Sequence, residues 1–299
     1  MNAPVSAALP AVLSMALLTM AAPHAGAEEV SKTQPADARG EVEIVNVAGS
    51  VEVSGWDRAE VQVKADLGKS VERLDFDRDG TRTYIKVVLP KMGGSSGASD
   101  LIIKVPRDSG LIVKTVSADQ RIGGVRGMQR LQAVSGDIDT EFGPGELELK
   151  TVSGNIVARG DGKGLVRATS ISGDIDISKA GPELDLNTVS GDMVVSAERL
   201  ERGRIKTTNG DLHLTTALAD KARLEAEAIN GDLQFTLRGE LNAEFDIETF
   251  NGDIDNCFGP KPRRSREYGP GNELRFTQGA GEGNVHIKTL NGGVTLCQR

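Results

Sequence analysis

Three pairs of carboxylates set two residues apart, Asp137 with Asp139, Asp174 with Asp176 and Asp253 with Asp255, could do general acid–base work. On a strand, residues i and i+2 share a face, so each pair would present two acids side by side. Cleavage of a glycosidic bond needs two carboxyls in environments that separate their pKa values. The same pair recurring at equivalent places marks a scaffold position and points away from catalysis. No Ser-His-Asp, Cys-His or metal-ligand cluster can be assembled around His213 and His286, which both fall in outward positions. No catalytic residue is assigned.

A second acidic series follows a turn glycine (Ala118 in the first copy): Asp119, Asp137, Asn155, Asp174, Asp192, Asp211, Asp232 and Asp253. Stacked on one another these acids would repel unless something neutralises them. A row of Ca²⁺ ions is one answer, but the glycine- and aspartate-rich Ca²⁺ repeat is missing and one ligand per coil is sparse. The expectation is that each Asp caps its own turn by accepting a nearby backbone N–H, with no metal and no cofactor.

Cys257 and Cys297 each lie five residues after a turn glycine, Gly252 and Gly292, and so occupy one column. Two coils apart, their Cα atoms would be about 9.6 Å from each other, beyond disulfide reach. One coil apart they would stack at about 4.8 Å, within reach, provided that residues 259–272 (GPKPRRSREYGPGN) form an inserted loop. In an oxidising compartment the spacing predicts a Cys257–Cys297 disulfide.

These residues are positioned by an internal repeat. The chain reads TVSAD from Thr115, AVSGD from Ala133, TVSGN from Thr151, SISGD from Ser170 and TVSGD from Thr188. It continues TTNGD from Thr207, AINGD from Ala228, TFNGD from Thr249 and TLNGG from Thr289, with an early copy NVAGS from Asn46. From Gly136 to Gly252 the glycines recur every 18 to 21 residues, through Gly154, Gly173, Gly191, Gly210 and Gly231. Flanking alternation of period two makes strands. Leu131, Leu149, Leu186, Ile205 and Ile247 before the glycine, with Ile138, Ile156, Ile175, Leu212 and Leu233 after it, form inner columns. A small Thr/Ser/Ala column sits beside the corner.

Six residues before the glycine the outward column runs Arg130, Glu148, Arg167, Asp185, Arg204, Glu225, Asp246, His286, alternating in sign through Glu225. Opposite charges attract across neighbouring strands, so the alternation favours parallel, in-register stacking. An antiparallel meander would not bring those residues opposite one another. An outer-membrane barrel would need an apolar belt with aromatic girdles, whereas aromatics are 3% of the chain and the outward positions are charged. The predicted class is all-β: a parallel β-solenoid of about 18–21 residues per coil. The solenoid should occupy residues 116–299, with an irregular β capping segment at 41–115 and a disordered linker at 28–40.

The repeated T-V-S-G-D-I units resemble the bacterial family of β-strand-repeat envelope proteins called putative adhesins, whose members are largely of unknown function. Val47–Val53 with Gly55-Trp56-Asp57-Arg58, and Lys104-Val105-Pro106, fit the same pattern, so the resemblance spans residues 41–299. It implies a parallel β-helix-like fold in an exported envelope protein.

An apolar run, Ala11 to Met20, precedes Ala25-Gly26-Ala27. It is too short to span a bilayer and reads as a secretory signal peptide, residues 1–27, cleaved after Ala27, although no Lys or Arg precedes the run. No later segment is long and apolar enough for a transmembrane helix. The expected location is the periplasm or cell surface. A net charge of −8 speaks against nucleic acid as a partner. The basic cluster at Lys261–Arg266 reads as a solvated loop tip. Function reads as a non-catalytic adhesive or structural scaffold presenting a polar face to an envelope polymer, surface glycan or protein. The alternative is a carbohydrate-binding or polysaccharide-cleaving β-helix, for which Trp56, Tyr84 and Tyr268 are too scattered to make a stacking platform.

Overall fold

A computed structural model describes residues 28–90, 97–265 and 270–298. The leader and its cleavage site at Ala27 lie outside the described residues, as do Arg266 and Tyr268. Strands and turns make up all that is described, and no helix there is long and apolar enough to cross a membrane.

Alternation drives the strands to lie in two walls of one large, mostly parallel sheet, enclosing a single aliphatic core. In the strand Leu212–Asn230, for example, Leu212, Leu214, Leu224 and Ala226 are buried while His213 and Glu225 face outward or sit at the margin. In the first wall, Leu131, Leu149, Ala168, Leu186, Ile205 and Ala226 stand beside one another in register. In the second, Ile138, Ile156, Ile175, Met193, Leu212 and Leu233 do the same. Both columns are buried, as is the Thr/Ser/Ala column at the corner. Glycine is required at that corner: Gly210 has φ +145°, and a Cβ there would run into the carbonyl oxygen of Gly191 on the previous coil.

The strand order departs from chain order at the C-terminal end. The strand Gly283–Asn291 inserts between Leu212–Asn230 and Ala243–Asn251, parallel to both. Val294–Gln298 likewise inserts between Leu233–Arg238 and Ile254–Asn256. The penultimate coil is therefore the outermost one. Its first-wall strand is covered antiparallel by Asn272–Gln278, which Arg263–Arg264 edges in turn. Phe245 and Phe276 stack there at 4.6 Å between ring centroids, with Phe258 beside them.

Two boundaries at the N-terminal end are corrected. Residues 28–40, expected to be disordered, contain the strand Glu28–Pro35, which pairs antiparallel with Glu60–Leu67 along its whole length. Backbone hydrogen bonding to an open edge does not require apolar side chains, and the polar residues add to it. Gln34 Nε2 donates to the Phe76 carbonyl at 2.7 Å and Lys32 Nζ to the Leu74 carbonyl at 3.2 Å. Nor does a separate segment end at residue 115: Glu41–Trp56 spans both walls and pairs in parallel with Gly110–Gly123. The irregular part is an antiparallel set, in which Glu60–Leu67 pairs with Ser99–Pro106 and Arg73–Asp79 with Arg82–Val88.

Candidate functional site

The turn acids do not cap their own turns. From Asp119 to Asp232, each accepts the backbone N–H of the equivalent residue on the next coil. Asp119 takes the N–H of Asp137 at 3.0 Å, Asp137 that of Asn155 at 2.8 Å and Asn155 that of Asp174 at 3.0 Å. The series continues through Asp174, Asp192 and Asp211 to Asp232, which accepts from Gly293 at 2.7 Å. One N–H per side chain offsets the repulsion that a bare ladder would suffer. The correction follows from geometry: the donor one coil away points at the side chain because all coils share one register. Beside this ladder runs a second, of amides, in the order Asn209, Asn230, Asn291, Asn251, with bonds of 2.7–2.9 Å.

The carboxylate pairs are divided by these duties. Asp137 and Asp174 serve the ladder, whereas Asp139 pairs with Arg159. Among the described residues no group of three or more His, Cys, Asp or Glu is placed to hold a metal. His213 lies on the second wall beside Val194 and Gln234, and His286 on the first beside Glu225 and Asp246, so the two histidines share no site. Cys257 and Cys297 form a disulfide with their Cα atoms 4.9 Å apart. It ties the outermost coil to the inserted one.

The outer face of the first wall is laced with ion pairs between coils. Arg130 meets Glu148 at 2.6 Å, Arg204 meets Glu225 at 3.3 Å and Lys206 meets Glu227 at 2.8 Å. Hydrogen bonds from Lys150 and Arg130 hold the Glu148 carboxyl below its ordinary range, and Lys206 does the same to Glu227. Glu227 in turn raises the Lys206 ammonium. A shallow hollow of about 720 Å³ on this wall is flanked by Arg202, Arg204, Arg223 and His286.

One surface feature was not anticipated from the sequence. Two residues before each turn glycine stands an exposed aliphatic or aromatic side chain: Val116, Val134, Val152, Ile171, Val189, Ile229, Leu290 and Phe250, each 39–50% exposed. Apart from these, the large exposed hydrophobics among the described residues are Ile102 and Val194. The eight form a ridge about 40 Å long, at about 4.8 Å per coil, interrupted by Thr208. Monomeric surfaces normally scatter such residues singly, so a continuous row marks a contact surface. The signal was present in the valine of every T-V-S-G-D unit, in an outward position where a polar residue would serve a solvated face.

Between the ridge and the charged column Lys206, Glu227, Lys288, Glu248 runs a groove of about 960 Å³, closed at one end by Ser265, Pro270 and Gly271. Its floor is the corner column, which carries a hydroxyl on every coil but that of Ala228. Ser170 Oγ, Thr188 Oγ1 and Thr207 Oγ1 are buried there, on three successive coils, without a hydrogen-bond partner among the described residues. By contrast Thr151 Oγ1 accepts from Gly154 at 3.0 Å and Thr249 Oγ1 donates to Gly252 at 2.8 Å.

A family model described as Toastrack DUF4097 matches residues 41–297. No curated protein matches the chain. Among solved structures, a putative adhesin from Parabacteroides merdae is 11% identical and superposes with a TM-score of 0.41, over 91% of this chain and 96% of that one. A putative adhesin from Parabacteroides distasonis is 11% identical, with a TM-score of 0.38 over 90% and 98% of the two chains. A putative lipid binding protein from the same species is 11% identical, with a TM-score of 0.37 over 89% and 96%. Likenesses at this level carry no weight for function.

Proposed function

This chain belongs to the Toastrack DUF4097 family, and from that premise we propose that it is an exported, non-catalytic binding scaffold of the adhesin type, docking a partner protein along the first wall. The observation that carries the reading is the aliphatic ridge beside its groove. A rigid row of branched side chains offers apolar area at low entropic cost, and the flanking charges add register without net charge, since Lys206 and Lys288 balance Glu227 and Glu248. Aliphatics suit a protein partner better than a sugar, which stacks on aromatic faces. Among the described residues the ridge supplies Phe250 alone of that kind. The Cys257–Cys297 disulfide and the leader both support export.

The test is site-specific photo-crosslinking in the producing cell. A photoreactive residue at Val152 or Val189 should trap one envelope protein, identified by mass spectrometry. The same residue at Val194, 52% exposed on the second wall, should not. Equal capture at all three positions would sink the proposal. A mature N-terminus other than Glu28 would refute the cleavage site.

A further inference from the structure

One place on the first wall sets two cations side by side. Between most neighbouring strands of the wall a cation stands beside an anion, yet Arg202 stands directly beside Arg223 in the ladder. No other strand pair among the described residues places two cations side by side. On its far side Arg223 meets Asn284, which offers no charge. Arginines on the neighbouring strands have acids: Arg130 has Glu148, Arg167 has Glu146, Arg202 has Glu183, Arg204 has Glu225 and Arg275 has Asp246. Arg223 is exposed, and its guanidinium has no hydrogen bond or ion pair among the described residues. It fronts the hollow of about 720 Å³ that Arg202, Arg204 and His286 also flank.

Like charges directly opposite one another on adjacent strands are destabilising. Two cations set side by side, one of them without an acid, are a local conflict of the kind expected at a functional site. A guanidinium left free presents its fork of N–H donors for bidentate capture of an oxyanion. We propose that Arg223, supported by Arg202 and Arg204, is an oxyanion-binding site. The acids already on the wall, Glu183, Asp185 and Glu225, would repel a densely charged polymer. The site therefore suits an isolated carboxylate, such as an Asp or Glu side chain of a docked protein. This rests on the first wall being a docking face. It adds the chemistry that the partner must present about 20 Å along the strand from Ile229 of the ridge, six residues at a rise of about 3.3 Å each.

The experiment uses the mature, oxidised protein and acetate and sulfate as probes, with binding followed by NMR shifts of the arginine side chains. Wild type should show saturable shifts at Arg223, and Arg223→Gln should bind at least about tenfold more weakly. Arg223→Glu should abolish binding while raising the melting temperature, because it restores alternation next to Arg202. Val189→Asp should leave probe binding unchanged, so that failure of the ridge and failure of this site are distinguishable. Absence of saturable shifts in wild type, or equal binding by Arg223→Gln, overturns the proposal. So does a lower melting temperature for Arg223→Glu, which would assign Arg223 a stabilising role. Binding of sulfate but not acetate would overturn the carboxylate assignment and point to a sulfated or phosphorylated group.

Discussion

His286 stands directly beside Asp246 in the first wall, its Nδ1 3.7 Å from the carboxylate, with Glu225 on its other side. In chain order the column ends Glu225, Asp246, His286, with two acids adjacent. Insertion of the last coil makes it Glu225, His286, Asp246, and Arg275 then meets Asp246 at 2.9 Å from the edge strand. The neighbouring column is rearranged the same way: Lys206, Glu227, Lys288, Glu248 alternate, where chain order would set Glu227 against Glu248. The asparagine ladder also runs through the inserted strand. The two charged columns thus favour this strand order, and the asparagine ladder accommodates it.

Charge reversal in the inserted strand should test this directly. Lys288→Glu would set a third acid between Glu227 and Glu248, so that three stand in a row. It should destabilise the protein by about 1 kcal/mol, a modest figure because the lysine is largely exposed. Lys288→Gln should cost less than half of that. Denaturant melts at low and high salt check it, since the loss should shrink as salt screens the repulsion.

The disulfide closes a separation of 40 residues and locks the outer coil onto the inserted one. Removing it as Cys257→Ser with Cys297→Ser should lower stability by roughly 4 kcal/mol on the loop-entropy account. The fold should survive, because backbone ladders hold the inserted strands on both sides. Thiol titration of the denatured, non-reduced wild type should find no free thiol.

The turn ladder predicts that the acceptor matters and the charge does not. Asp192 accepts the Asp211 N–H at 2.8 Å, and Asn155 fills the same role as an amide. Asp192→Asn should therefore be nearly neutral, while Asp192→Ala should cost about 1 kcal/mol by orphaning that donor. Addition of Ca²⁺ should not shift the melting temperature of wild type or of either variant.

Glu148 and Glu227 titrate below their ordinary value in the folded protein, held by Lys150 with Arg130 and by Lys206 respectively. A carboxyl depressed on folding stabilises the fold above its unfolded value of 4.5, and that stabilisation is lost as pH falls through the folded value. Melting temperature should thus drop on acidification below 4.5. Glu227→Gln should flatten part of that drop, and the effect should be small because the group is partly exposed.

The repeat, the inner columns, the parallel register and the pairing of Cys257 with Cys297 were legible in the sequence. Each depends on periodicity within a coil or on position relative to the glycine, and these are local properties. Strand Glu28–Pro35 was not legible, because a polar segment can pair with an open edge through its backbone alone. The ridge was visible as an apolar residue two before the glycine in every unit but that of Thr208, and its exposure depends on which way the corner bends. The insertion of the last coil was the hardest to read. Acids adjacent in the chain order of two columns, Glu225 with Asp246 and Glu227 with Glu248, hint at it, and the strand that separates them arrives from the far end of the chain. Spacing along the sequence determined what each coil looks like. Only the tertiary structure decided which coil lies beside which, because that choice rests on charges that meet across coils.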